Sequence, residues 1–152
     1  MIENTILRNV GSISRALDSI SNIEFKSLSL EKGQYLYLSR VVEHPGITQM
    51  QLSTLLSVDK TTTNRAISKL IEKNIIVKSD DEFNQKNKLL YATPHGEKLY
   101  QTLKAENQYS DAVALTALSD EEIALLDKLL EKVSLNVVAD WAKVKKGYHR
   151  PY

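Results

Sequence analysis

The passage from Ile47 to Thr93 constrains this chain most, because helical and strand-like patterns follow one another there with almost no slack between them. Thr48 and Gln51 have the spacing of a capping box, and Leu52, Leu55 and Leu56 give QLSTLL one apolar face over about two helical turns. Ser57-Val58 breaks that period. Asp59 then stands as an N-cap before KTTTNRAISKLIEK, and Asn74, which tolerates left-handed backbone, closes the second helix. A short helix, a tight turn and a longer helix make a helix-turn-helix. After it, IIVKS and KLLYAT read as two strands separated by the polar run DDEFNQKN, which predicts a hairpin wing with a long tip.

The flanks read as helices. Ile2, Ile6, Val10, Ile13, Leu17 and Ile20 recur at steps of three and four, which predicts a helix over 2–20 with a single apolar stripe. Ser21 to Leu30 is mixed and serine-rich, and EKGQYLYLSRVVEH reads as a second helix stopped at His44 by Pro45 and Gly46. Thr93-Pro94 is a helix start, opening a long helix towards Ala117 with Leu99, Leu103, Ala112 and Leu115 among its apolar positions. Ser119 with Glu122 is a second capping box before a last helix carrying Ile123, Leu126, Leu129, Leu130, Val133 and Val137. The basic tail KVKKGYHRPY is expected to be loose. The chain of 152 residues suits one core. The expected fold is mainly α with a small β-hairpin wing, a winged helix-turn-helix with flanking dimerisation helices. Its parts are an N-terminal dimerisation helix and connector (1–30), a DNA-binding region (31–93), C-terminal dimerisation helices (94–143) and the basic tail (144–152), forming one interlocked domain.

On the Asp59–Lys73 helix, Thr63, Ala66, Ile67, Leu70 and Ile71 share one face that can pack on Leu52, Leu55 and Leu56. The opposite face then presents Lys60, Thr61, Thr62, Asn64, Arg65, Ser68 and Lys69. These residue types suit a major groove, where arginine forks to guanine, asparagine to adenine, and threonine meets a thymine methyl or a phosphate. Thr48 and Gln49, at the start of the short helix, stand where such a motif meets the DNA backbone. The net charge of +1 hides a local excess. Between Asp59 and Lys78 the cations Lys60, Arg65, Lys69, Lys73 and Lys78 oppose only Asp59 and Glu72. The wing adds Lys86 and Lys88, together with Asp80, Asp81 and Glu82. A polar helix face of this composition also occurs on helices that bind nothing, and a winged-helix module that binds protein without specific DNA contact stays open as the alternative.

Other classes find less support. There is no cysteine, hence no disulfide or thiolate metal site, which fits a reducing cytoplasm. His44, His95 and His149 lack the pairing a closed metal site needs. No glycine-rich phosphate loop or nucleophile elbow is present, so neither an enzyme nor a cofactor is expected. The N-terminus lacks the apolar run of a signal peptide, and no stretch reaches membrane-spanning length. The apolar stripe and the two long C-terminal helices exceed what a small winged helix can cover, which points to a homodimer; the alternative is that they close on the core of one chain. Tyr35, Tyr37, Tyr91, Tyr100 and Tyr109 stand either as core residues with wet hydroxyls or as the lining of a pocket. Arg15 and Arg40 fit ordinary ion pairs or an anionic ligand.

The chain resembles the MarR family of bacterial winged-helix regulators from Ile2 to about Lys143. The resemblance rests on GITQMQLSTLLSVDKTTTNRAISKLIEKNIIVKS, with its arginine at Arg65, and on LLYATPHGEKL, similar to the family's strand-to-helix passage at Ala92, Thr93 and Gly96. It implies an interlocked homodimer on a pseudo-palindromic operator in double-stranded DNA, often a repressor released by a small ligand that the resemblance does not name; a small aromatic or amphipathic effector is what a tyrosine-lined pocket would suit. The five tyrosines would border the cleft between the DNA-binding and dimerisation parts. Two departures stand out: Asn84-Gln85-Lys86 replaces the family's Asp-x-Arg in the wing, and Asn74 replaces its glycine after the recognition helix. Without that brace a mobile wing tip is expected, with Lys86, helped by Lys88, as its phosphate or minor-groove contact.

Overall fold

The computed structural model describes residues 5–31 and 33–152, so Ile2 of the N-terminal stripe lies outside the described residues. The order is α1 (Thr5–Glu24), a 3-10 turn (Lys26–Leu28), α2 (Gln34–Glu43), β1 (Ile47–Thr48), α3 (Gln49–Leu55), α4 (Lys60–Glu72), β2 (Ile76–Asp80), β3 (Lys88–Ala92), α5 (Pro94–Ala114) and α6 (Asp120–Lys145). The expected class is present with one addition. The wing is the outer part of a three-stranded antiparallel sheet ordered β1-β3-β2, in which Ile47 faces Leu90 and Ile76 faces Ala92. β1 is two residues long and carries no period of its own.

Local chemistry sets the helix ends. The Thr48–Gln51 and Ser119–Glu122 capping boxes both form. α3 and α4 end alike: Ser57 at φ 54 lets Val58 N donate to Ser53 O at 2.9 Å, and Asn74 at φ 56 lets Ile75 N donate to Leu70 O at 2.9 Å. Each is a left-handed cap whose 6→1 bond satisfies a free helix carbonyl, so the helix-turn-helix joint at Ser57 is a closed cap and not slack chain. Lys73 does not serve as an exposed cation. Its Nζ donates to Ser29 O and to Gln34 Oε1 at 3.0 Å, tying the end of α4 to α2.

The core sits inside the winged helix. Leu38 and Val41 of α2, Leu52 of α3, Ile67 and Leu70 of α4, Leu90 of β3 and Leu103 of α5 are fully buried together with Phe25, Leu30, Ile75 and Ile76. Thr63 and Ile67 share the inward face of α4 as expected, but Leu55 does not join them: it is 47% exposed, and Leu52 and Leu56 alone carry the α3 contact. Thr93 locks β3 and α5 against the end of α4, its hydroxyl donating to Asn74 O at 2.7 Å and accepting from Gly96 N at 3.1 Å.

The outer helices bury little. α1 runs four residues beyond Ile20, to Glu24, and its only buried residue is Ser21; its stripe of Ile6, Val10, Ile13, Leu17 and Ile20 stays 37–56% exposed. α6 buries no residue at all, with Leu126, Leu129, Leu130 and Val137 uncovered. The helices therefore do not close on the core of their own chain. The tail also departs from expectation: α6 continues to Lys145, and Arg150 Nε returns to Asp140 Oδ2 at 3.0 Å. Among the described residues no helix is long and apolar enough to cross a membrane.

Candidate nucleic-acid interface

α4 owes its start to Asp59, whose carboxylate accepts from Thr62 N at 2.8 Å and from Thr62 Oγ1 at 2.6 Å. The Thr62 hydroxyl, and then its amide, hold the Asp59 carboxyl below the usual carboxylate range. An ionised cap at a helix N-terminus is favoured by the helix dipole. The Thr62 hydroxyl proton is thereby committed to Asp59. Lys60, Thr61, Asn64, Arg65 and Lys69 line one side of α4 and are exposed, while Ser68 is half-buried. Among the described residues the charged ends of Lys60, Arg65 and Lys69 have no ion-pair partner.

The start of α3 joins this face. Gln49 Nε2 donates to Asn64 Oδ1 at 3.2 Å, linking the two helices at the exposed edge, and Thr48 commits its amide to Gln51 Oε1 at 3.0 Å. Arg65 and Lys69 border a small cleft of about 180 Å³ with Tyr37 and Glu31 between α2 and α4. The face so assembled is cationic, rich in amides and hydroxyls, and carried on a helix whose other side is locked in the core.

The wing is held differently from expectation. Lys88 forms an ion pair with Asp80 across the β2–β3 register, so it is not a free phosphate contact. At the tip Asp81 Oδ1 accepts from Phe83 N at 3.0 Å and Asn84 Oδ1 accepts from Lys86 N at 3.1 Å. Asn87 N reaches Asn84 O at 2.9 Å. These side-chain-to-backbone turns lace the tip from within, so Asn84 supplies a local brace where the Asp-x-Arg pair is absent. Lys86 is exposed on the same tip as Phe83, which is 97% exposed. Phe83 is not among the residues expected from sequence; its one signal there is an aromatic ring in an otherwise polar turn.

The five tyrosines do not converge. Tyr35 is buried, packs on Phe25 at 5.3 Å between ring centroids and donates to Asp18 Oδ1 at 3.0 Å. Burial, then the bond to Asp18, pushes its pKa up to about 12. Tyr37 is raised by burial, opposed by a hydrogen bond to Thr63. Tyr100 donates to Glu43 Oε1 at 3.2 Å and is likewise raised, by loss of solvent first and then by the Glu43 charge. Tyr91 approaches Gly46, and Tyr109 is 72% exposed. Of the five, Tyr35 alone borders the cleft of about 370 Å³ between α1, α2 and α5, which Asp18, Arg40, Glu106 and Asp111 also line. Arg40 pairs with Glu43 at 2.6 Å, and Arg15 reaches Ser12 at 3.4 Å. No group of His, Asp or Glu among the described residues could hold a metal ion.

A helix-turn-helix with a sheet-borne wing, carried between long helices with bare apolar faces, defines a winged-helix protein of the transcription-regulator class. Comparison with known proteins narrows it. The MarR family model matches residues 30–88. YybA of Bacillus subtilis (strain 168), an uncharacterised HTH-type transcriptional regulator, is 50% identical over 149 residues, 98% of this chain and 99% of that one. A Listeria monocytogenes protein described as a MarR family transcriptional regulator and crystallised with 26mer DNA is 49% identical, with a TM-score of 0.93 over 96% of this chain and 97% of that one. A MarR protein from Peptoclostridium difficile is 40% identical, with a TM-score of 0.88 over 95% and 94% of the two chains. This chain belongs to the MarR family of transcriptional regulators.

Proposed function

We propose that two copies of this chain form a homodimer that binds a pseudo-palindromic operator in double-stranded DNA and represses transcription until a small ligand releases it. The observation that carries the reading is the outward face of α4. Lys60, Thr61, Asn64, Arg65 and Lys69 stand on a helix fixed by Thr63, Ile67 and Leu70 behind it. A rigid helix with that chemistry enters a major groove, where Arg65 forks to guanine and Asn64, already steadied by Gln49, pairs with adenine. Thr48, Gln49 and Lys69 approach phosphates, and Ser68 is a minor partner. In the wing, Lys86 and the ring of Phe83 approach the minor groove, while Lys88 contributes only by leaving Asp80. That a 49% identical protein was crystallised with 26mer DNA supports this reading. Such a regulator works in the cytoplasm, where the chromosome is.

The bare stripes of α1 and α6 support the dimer, since apolar faces of that extent are covered in solution by association. For release, the cleft beside Tyr35 lies between the helices of the two functions and is large enough for a small aromatic or amphipathic ligand. Selection of bound duplexes from a genomic pool tests the reading. A recurrent inverted repeat is the expected result, and binding by Arg65→Ala should lose about 1–3 kcal/mol of discrimination at one base position. Recovery of no enriched sequence, with no duplex bound at low salt, would replace it with a protein-binding module.

A further inference from the structure

We propose that the basic C-terminal end of the chain, centred on Lys145 and Lys146, is an additional contact to the DNA phosphate backbone beside the recognition helix; this rests on the reading of α4 as the groove-binding element. A helix of 26 residues spans about 39 Å, so α6 begins at the far end of α5 and still returns to the helix-turn-helix. There Lys145 borders an open cleft of about 530 Å³ whose other walls include Gln49, Lys60, Thr61 and Asn64. All four belong to the interface already described. The cleft has cations on two walls and no carboxylate in its lining, so an anion fits it and a cation does not.

The end of α6 is closed by bonds within itself. Gly147 adopts φ 98, which lets Gly147 N donate to Val144 O at 2.9 Å and Tyr148 N to Lys143 O at 3.1 Å, a left-handed cap that stops the helix sharply. Arg150 then folds back onto Asp140. That pair neutralises the Asp140 carboxylate, and from Lys143 to Tyr152 the chain carries Lys143, Lys145, Lys146 and Arg150 with no acidic residue. Lys145 and Lys146 are exposed and, among the described residues, have no ion-pair partner. Lysines in a last turn also suit the helix dipole. That role alone would not bring one of them to the edge of the α3–α4 face. A duplex seated on α4 passes its phosphates across this edge, and the two lysines would meet them as point charges without reading sequence.

The test is fluorescence anisotropy of the full chain against two duplexes, one selected from the genomic pool and one of random sequence, with salt varied. K145Q/K146Q should weaken both complexes by the same factor, roughly three-fold or more, and flatten the slope of log affinity against log salt by about 0.9 for each phosphate left without its lysine. K145R/K146R should retain wild-type affinity and slope. R65A should instead lose discrimination between the two duplexes. Unchanged affinity and slope in K145Q/K146Q, with R65A still impaired, would overturn the proposal and leave the α4 reading standing. Weaker binding with an unchanged slope, or a loss that K145R/K146R shares, would overturn it as well, because the lysines would then act through structure and not through charge. If the wild type binds neither duplex, the proposal falls together with that reading.

Discussion

A methyl group at position 96 would sit 2.2 Å from the carbonyl oxygen of Ile75, in the backbone that joins α4 to β2. That close approach explains the glycine in ATPHG better than any turn requirement, because Gly96 lies inside α5. Gly96→Ala must push α5 away from the end of α4, and it should cost at least about 2 kcal/mol of stability in a urea titration. A midpoint equal to wild type would contradict the close approach. Tyr35 gives a second expectation. Its pKa in the fold is raised from 10.0 to about 12, so between those values the unfolded chain gives up a proton that the fold retains. Stability is therefore full below pH 10 and falls as pH rises towards 12. Tyr35→Phe should flatten that alkaline fall in melting temperature, leaving the smaller part due to Tyr37 and Tyr100. An alkaline limb as steep as wild type would show that Tyr35 does not carry it.

The elements show which features local sequence can announce. Both capping boxes, the Asp59 and Thr93 caps and the left-handed Asn74 are legible because each is a short-range bond between a side chain, or a permissive backbone, and its near neighbours. The inward face of α4 is legible from its period. β1 is not, since two residues have no period and are strand only because β3 lies beside them. Leu55 fits the helical face by spacing, but α3 is short and only Leu52 and Leu56 meet the core. Lys73 and Lys88 read as free cations because their partners, Ser29 with Gln34 and Asp80, are distant in the chain or depend on the hairpin register. Lys145 reads as part of a loose tail for the same reason: it reaches the interface only because α6 doubles back. Ser57 supplies the test at this scale. It holds φ 54 where glycine is at ease, so Ser57→Gly should stabilise the helix-turn-helix by about 0.5–1 kcal/mol in thermal unfolding, net of the freedom glycine adds to the unfolded chain. A lower melting temperature would mean that the serine side chain contributes more than its strain costs.

At the scale of the whole molecule, the chain is a well-packed winged helix joined to helices that bury almost nothing of their own. α6 has Leu126 and Leu130 at 39% and 40% exposure, and the stripe of α1 is equally bare. Sedimentation at micromolar concentration should therefore show twice the 17.2 kDa of one chain. Leu126→Glu with Leu130→Glu should return the monomer with its winged helix still folded, because neither residue belongs to that core. A wild type that sediments as a single chain would remove the dimer. In the proposed dimer, two α4 helices would enter successive major grooves only where the half-sites lie on one face of the duplex. Binding a selected duplex with about 5 extra base pairs, half a helical turn, inserted at its centre tests this most directly. The insertion should turn one half-site away and lower affinity roughly ten-fold or more, down to that of a random duplex. Undiminished affinity for the lengthened site would contradict the dimeric, groove-reading account.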